Sequence, residues 1–264
     1  MSDTLIIIPT YNECENVRPI AQAVLDTSPD VSILFVDDNS PDGTGAIIDG
    51  LVASDERIHV LHRKEKDGLG RAYIAGFKWA LERDYELIFE MDADFSHNPK
   101  DVPAMRAAAE TAGLVIGSRY IGGIRVINWP LHRLFLSRGA GIYVKLITGL
   151  PLSDPTGGYK CFHRCVLKAI DLDGIVSNGY SFQVELNHQA WRIGCKTVEV
   201  PIVFEERHSG TSKMSKKIIF EALWMVWRLL WRAKFKRAHT CSVPEDTAGF
   251  RCCQAFQTAQ PTAQ

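Results

Sequence analysis

Strand-like and helix-like segments alternate through the first half of this 264-residue chain. That alternation predicts an α/β fold, with a mainly parallel sheet covered by helices on both faces. Three observations carry the prediction. Short apolar runs recur at 4–8, 31–36, 58–61, 87–91 and 114–116, a length suited to strands. Segments of helical character fill the gaps at 12–26, 44–54, 69–83 and 99–111, so right-handed crossovers should join the strands. A hydrophobic fraction of 46% suffices for a full core.

Each element has a local reason. The run 4–8 should stop at Pro9, and Asn12 with Glu15 three residues later reads as a helix start. The run 31–36 closes in Asp37-Asp38-Asn39-Ser40-Pro41-Asp42-Gly43, a turn by its Pro, Asp and Gly content. Pro99 falls in the first turn of its helix, where a missing N–H does no harm. Beyond 117 the character changes. Residues 121–137 are glycine-rich and basic, and 138–150 reads as a helix exposing Ile142, Tyr143, Val144, Leu146 and Ile147. A loop at 154–160 leads into a short strand, followed by a helix at 181–193 and a strand at 197–204.

Residues 218–231 combine three tryptophans with Glu221 and Arg228, and Arg232, Lys234, Lys236 and Arg237 follow. The segment suits an amphipathic helix lying at a membrane interface better than one crossing it. Packing on the core is the other reading. The tail 236–264 lacks apolar periodicity and is expected to be disordered.

Composition excludes several classes. A formal net charge of −1 gives no bulk attraction for nucleic acid. No run approaches the roughly 20 apolar residues of a membrane span. The 7 cysteines show no zinc spacing. Their odd number and the absence of an export signal point to a cytoplasmic location. Neither GxGxxG nor GxxxxGK[ST] follows a strand, which removes the main support for dinucleotide-binding and P-loop readings.

The chemistry gathers at strand ends. In α/β proteins ligands bind in the loops after the carboxyl ends of the strands. Three such loops are polar or acidic: Pro9-Thr10-Tyr11-Asn12-Glu13, Asp37-Asp38-Asn39-Ser40 and Asp92-Ala93-Asp94. Taken alone, Asp-Ala-Asp reads either as a solvated turn or as a site for a hard divalent cation with positions open to phosphate oxygens. Together the loops resemble the donor site of the inverting family 2 glycosyltransferases, which have the Rossmann-like GT-A fold. The likeness is closest to the polyprenol monophosphomannose synthases (dolichol-phosphate mannosyltransferases). It rests on Val36-Asp37-Asp38-Asn39-Ser40-Pro41-Asp42-Gly43-Thr44, Gly68-Leu69-Gly70, Met91-Asp92-Ala93-Asp94-Phe95-Ser96-His97, Gly117-Ser118-Arg119-Tyr120 and Ser137-Arg138-Gly139-Ala140, in this order.

The resemblance implies a catalytic domain over 1–235, with a donor half at 1–117 and an acceptor half at 118–235. It implies donor contacts at Pro9, Tyr11, Glu13, Val36, Asp38 and the 92–94 turn, including Ala93. Asp37 would cap its turn. Asp92 and Asp94 would hold Mg²⁺ or Mn²⁺ on the donor diphosphate. Some relatives carry Gln where this chain has Ser96, so Ser96 would act on the metal directly or through water. Arg119, Arg133 and Ser137 would bind the acceptor phosphate, matching a guanidinium's fork of donors. Arg207 and Lys213 would close over the donor phosphates. His97 reads as a hydrogen-bonder within its loop.

The implied reaction is transfer of mannose from GDP-mannose to a polyprenyl or dolichyl phosphate, with inversion and with no residue acting as general base. The enzyme would sit peripherally on the cytosolic face of a membrane, with a separate membrane-anchoring subunit as a further expected partner. Two alternatives stand beside it: glucose transfer from UDP-glucose to the same lipid, and a catalytically silent nucleotide-sugar-binding subunit.

Overall fold

The computed structural model describes residues 2–205, 224–229 and 231. Seven strands form one sheet: β1 (Thr4–Thr10), β2 (Ser32–Asp37), β3 (Ile58–His62), β4 (Leu87–Glu90), β5 (Leu114–Ser118), β7 (Lys160–His163) and β8 (Thr197–Pro201). Their order is β3-β2-β1-β4-β7-β5-β8. All pairs are parallel except those of β7, which runs antiparallel between β4 and β5. β6 (Val126–Ile127) and β9 (Phe204–Glu205) form a separate parallel pair. The helices are α1 (Val17–Thr27), α2 (Thr44–Ser54), α3 (Leu69–Leu81), α4 (Val102–Ala109), α5 (Leu131–Thr148), α6 (Arg164–Ala169) and α7 (Gly179–Arg192). The expected α/β class and mainly parallel sheet are borne out.

Alternate strand residues feed two core layers, which is why the strands read as unbroken apolar runs. Leu5, Ile7, Leu34 and Ile88 pack with Tyr73 and Phe77 of α3 and with Phe182 and Leu186 of α7. Ile6, Ile8, Ile33 and Phe89 pack on the opposite face with Val17, Ile20 and Val24 of α1, Ile48 of α2 and Met105 of α4. At Gly76 a Cβ would stand 2.7 Å from Ile7 Cγ2, so only glycine lets α3 lie this close to β1.

Several boundaries differ from the sequence expectation. β1 runs through Pro9 to Thr10. The Ile7 carbonyl accepts the Met91 N–H (3.1 Å), so Pro9, two residues on, faces the side where β4 has already ended. Asn12 does not start α1, because its φ of 59° is left-handed, and the helix begins at Val17. The helix expected from 138 begins at Leu131, directly after Pro130, so the basic segment is itself half helical. Within α5 only Ile142 and Leu146 of the five apolar residues expected outside are exposed. Val144 is buried, and Tyr143 and Ile147 pack against the core. The expected strand at 197–204 is split into β8 and β9.

Residues 224–229 are helical. Met225, Val226 and Leu229 join the core cluster of α3 and α7, whereas Trp224 (72%), Trp227 (54%) and Trp231 (70%) are exposed. One face of this segment therefore packs on the core and another presents indoles. The rest of 218–231 and the tail 236–264 lie outside the described residues. No helix among the described residues is long and apolar enough to cross a membrane.

Candidate active site

β1, β2 and β4 are adjacent and parallel, so the loops after them open on one edge of the sheet. The first two loops are tied together. Thr10 Oγ1 donates to Asp37 Oδ1 (3.0 Å), Asn12 N–H to Ser40 Oγ (3.1 Å), and Glu13 N–H to Thr44 Oγ1 (3.0 Å). Asp37 is consumed by this work: it is buried and also accepts the Ser40 N–H and hydroxyl. It caps the turn, the part expected of it. Each of the three loops holds one non-glycine residue at positive φ: Asn12 (59°), Asn39 (56°) and Phe95 (62°). Asparagine tolerates this region, but phenylalanine does so at a cost of roughly 1–2 kcal/mol, a strain typical of functional turns.

Pro9 pairs with Val36 in the β1–β2 ladder, placing both at the strand ends. Tyr11 lies beneath the Lys66 ammonium, 3.8 Å from its ring centroid. Glu13 accepts from Asn16 Nδ2 (2.7 Å). Asp38 is buried and ion-paired to Arg63 Nη1 (2.6 Å). Burial raises its pKa, and Arg63 opposes that rise. Neither Arg63 nor Lys66 stood out in the sequence, since their partners Asp38 and Tyr11 lie in distant segments.

Asp92 and Asp94 follow β4 directly. Asp92 Oδ1 accepts from the buried Tyr73 hydroxyl (3.2 Å), and Asp94 Oδ1 accepts from the Ser96 N–H (3.1 Å). Ala93 and Ser96 are buried. His97 Nδ1 accepts the Asp92 N–H (3.0 Å), leaving the ring proton on Nε2, 3.8 Å from Asp92 Oδ2. Its ring stacks on Tyr159 (4.8 Å), and burial keeps its pKa below the ordinary value. His97 thus orders the loop through hydrogen bonds, as expected. The donors this turn offers are carboxylate oxygens. Such hard ligands fit Mg²⁺ or Mn²⁺ with water and phosphate completing the shell. Among the described residues no group of three or more His, Cys, Asp or Glu forms a closed metal cage.

Beneath the turn, Glu90 and Lys160 face each other across β4 and β7, both fully buried and 3.8 Å apart. Burial lifts Glu90 to about 7 and lowers Lys160 to about 8. Lys160 also donates to the side chain of Gln183 on α7. This buried pair ties the root of the Asp92 turn to α7.

On the acceptor side, Arg119 is buried and paired bidentately with Asp154: Nε to Oδ2 at 2.7 Å and Nη2 to Oδ1 at 2.6 Å. Nη2 also donates to Thr156 Oγ1 (2.9 Å), so only Nη1 is uncommitted among the described residues. Asp154 would titrate high from its burial alone, but Arg119 outweighs that and lowers its pKa. The sequence reads this aspartate only as part of a loop, because its partner lies 35 residues away. Arg133 and Ser137 stand four residues apart on α5 and so share a face. Ser137 Oγ accepts from the Tyr120 hydroxyl (2.7 Å), which leaves its own proton to donate elsewhere. Ring contacts link this side to the Asp92 turn: Phe204 meets His97 edge-on at 6.0 Å and Trp129 at 5.5 Å. Arg207 and Lys213 lie outside the described residues.

A mainly parallel sheet whose edge carries two joined polar loops, a two-carboxylate turn and a nearby arginine cluster sets the frame for the comparison. The chain belongs to glycosyl transferase family 2, whose profile matches residues 5–171. Its fold is GT-A. The glucosyl-3-phosphoglycerate synthase of Mycobacterium tuberculosis, solved with Mn²⁺, UDP and phosphoglyceric acid, superposes with a TM-score of 0.61 at 16% identity. That match covers 92% of this chain and 80% of that one. Sequence likeness is much higher to an undecaprenyl-phosphate mannosyltransferase of Micrococcus luteus. The identity is 49% over 224 residues, covering 85% of this chain and 92% of the relative. A polyprenol monophosphomannose synthase of Mycolicibacterium smegmatis is 48% identical, with 89% of each chain covered.

Proposed function

We propose that this enzyme transfers mannose from GDP-mannose to a polyprenyl phosphate at a membrane surface. The observation that carries the reading is the joining of the Asp92-Ala93-Asp94 turn to the Arg119–Arg133–Ser137 cluster through His97, Phe204 and Trp129. The named activities of the two relatives support it. Pro9, Tyr11, Glu13, Val36 and Asp38 would line the nucleotide, and the 92–94 turn would carry its diphosphate. Asp92 and Asp94 would hold Mg²⁺ or Mn²⁺, which supplies positive charge to the leaving diphosphate when bound. Ser96 would steady Asp94 from its backbone. Arg207 and Lys213 would close over the donor phosphates, as the family resemblance implies.

The acceptor oxyanion forms a bond to the anomeric carbon as the bond from that carbon to the diphosphate oxygen breaks. The electron pair leaves with GDP, and the configuration inverts. No proton must be removed, since a phosphate monoester with a second pKa of about 6 is already largely dianionic at neutral pH. Arg119, Arg133 and Ser137 would align that oxyanion, and catalysis lies in positioning and charge. Peripheral membrane contact would come from the exposed apolar residues of α5 and from Trp224, Trp227 and Trp231.

Incubating the purified chain with Mn²⁺, a polyprenyl phosphate and radiolabelled GDP-mannose should move label into the organic phase. Label from UDP-glucose and none from GDP-mannose would overturn the mannose assignment.

A further inference from the structure

Arg119 is held by a carboxylate that is itself held. The fully buried Asp154 accepts from the Arg119 backbone N–H (3.0 Å), from Nε (2.7 Å) and from Nη2 (2.6 Å). Asp154 lies in the loop between α5 and β7, and Glu199 of β8 anchors that loop. The N–H groups of Ser153 and Asp154 donate to Glu199 Oε2 (2.8 Å) and Oε1 (2.9 Å). Each oxygen of one carboxylate thus takes one of two consecutive backbone donors. Just beyond Asp154 the loop is fastened again. Asn187 Nδ2 of α7 donates to the Pro155 carbonyl (2.8 Å), and at Gly157 a Cβ would stand 3.2 Å from the Gly117 carbonyl oxygen.

We propose that Glu199 is a positioning residue for the acceptor phosphate, acting through Asp154 to hold the Arg119 guanidinium in one orientation. The inference rests on the lipid-phosphate reading above, in which Arg119 binds that phosphate. An arginine side chain has many rotamers, and a bidentate carboxylate selects one of them only if the carboxylate is itself fixed. The Asp154 oxygens are committed to Arg119 and to the Thr156 hydroxyl (3.3 Å), so what fixes Asp154 is its backbone. Glu199 grips that backbone with charge-assisted hydrogen bonds, the stronger kind. Arg119 is in this way held at main chain and guanidinium by one aspartate, yet its side chain keeps 7% of its surface exposed, against none for Asp154. Arg119 also keeps Asp154 ionised, and that negative charge offsets much of its own. The worth of Arg119 to a phosphate therefore lies in directed N–H geometry more than in net charge, and geometry is what Glu199 preserves.

A double-mutant cycle tests the relay in the full chain. Glu199→Gln keeps the size of the side chain but replaces one accepting oxygen by a donor. Arg119→Lys keeps a cation beside Asp154 and loses the fork. For wild type, both single variants and the double variant, the KM for farnesyl phosphate is measured with GDP-mannose and Mn²⁺. Calorimetric affinity for GDP with Mn²⁺ and a thermal melt serve as controls. Glu199→Gln should raise the KM for farnesyl phosphate about tenfold and leave GDP affinity and melting temperature close to wild type. In the Arg119→Lys background the same substitution should raise that KM by less than about twofold, the non-additivity of residues that act through one another. An equal rise in both backgrounds would overturn the inference, because Glu199 would then act elsewhere. So would an unchanged KM in Glu199→Gln, or a parallel loss of GDP affinity and melting temperature, the mark of a general structural role. An unmoved KM in Arg119→Lys would remove Arg119 from the acceptor site, and failure of wild type to mannosylate farnesyl phosphate would overturn the lipid-phosphate reading; the inference falls with either.

Discussion

Asp94 sits one residue before Phe95, whose φ of 62° turns the chain sharply, and the Ser96 N–H fixes its carboxylate at 3.1 Å. Asp92 is held by Tyr73 and, through its own N–H, by His97. Two carboxylates fixed in this way need little reorganisation to take a cation, the usual requirement for electrostatic catalysis. Asp94→Ala should therefore reduce mannosyl transfer by at least about 100-fold at saturating Mn²⁺, some 3 kcal/mol of barrier. The melting temperature should stay close to that of wild type, because the side chain is partly exposed. Near-normal turnover in the organic-phase assay would remove Asp94 from the metal site. At this scale the sequence showed the two aspartates through their motif. It did not show Arg63 or Asp154, whose partners are brought in from distant segments.

Among the elements, α5 is the least conventional. Leu131 (70%), Phe135 (72%), Ile142 (54%) and Leu146 (78%) are all exposed. Their spacings of four, seven and four place them on one face of the helix. A stripe of this kind facing water suits the acyl boundary of a bilayer, and Arg133 and Ser137 lie on the opposite face of the helix. The paired substitution Phe135→Glu with Leu146→Glu should lower partitioning onto anionic liposomes by about tenfold or more in a flotation assay. Affinity for GDP and Mn²⁺ should not change. Unaltered flotation would place the membrane contact elsewhere. The apolar residues of this segment were legible from sequence, but their direction was not. Periodicity alone did not reveal that Pro130 starts the helix, nor that Val144 and Ile147 turn toward the core.

For the whole molecule, burial of histidines sets how stability responds to acid. His163 and His188 are buried neutral, with burial lowering both to about 4. In the unfolded chain they titrate near 6.5. Between those values the unfolded state binds more protons, so stability is fully present above about 6.5 and is lost as pH falls toward 4. Each histidine should contribute a slope of about 1.4 kcal/mol per pH unit in that window. Urea unfolding at pH 7, 6 and 5 should show the decline, and His188→Gln should flatten it; a pH-independent midpoint would contradict the burial of these rings as neutral groups. What the sequence determined by itself is the α/β class, most strand and helix positions of the first half, and the motif that names the family. These follow from local periodicity, turn chemistry and short contiguous signatures. The tertiary structure decided the insertion of antiparallel β7, the buried Glu90–Lys160 pair and the Arg119–Asp154 clasp. It also decided the aromatic bridge between the two sides of the site. Each of these joins residues far apart in the chain, and only close packing of the folded sheet brings their side chains within reach.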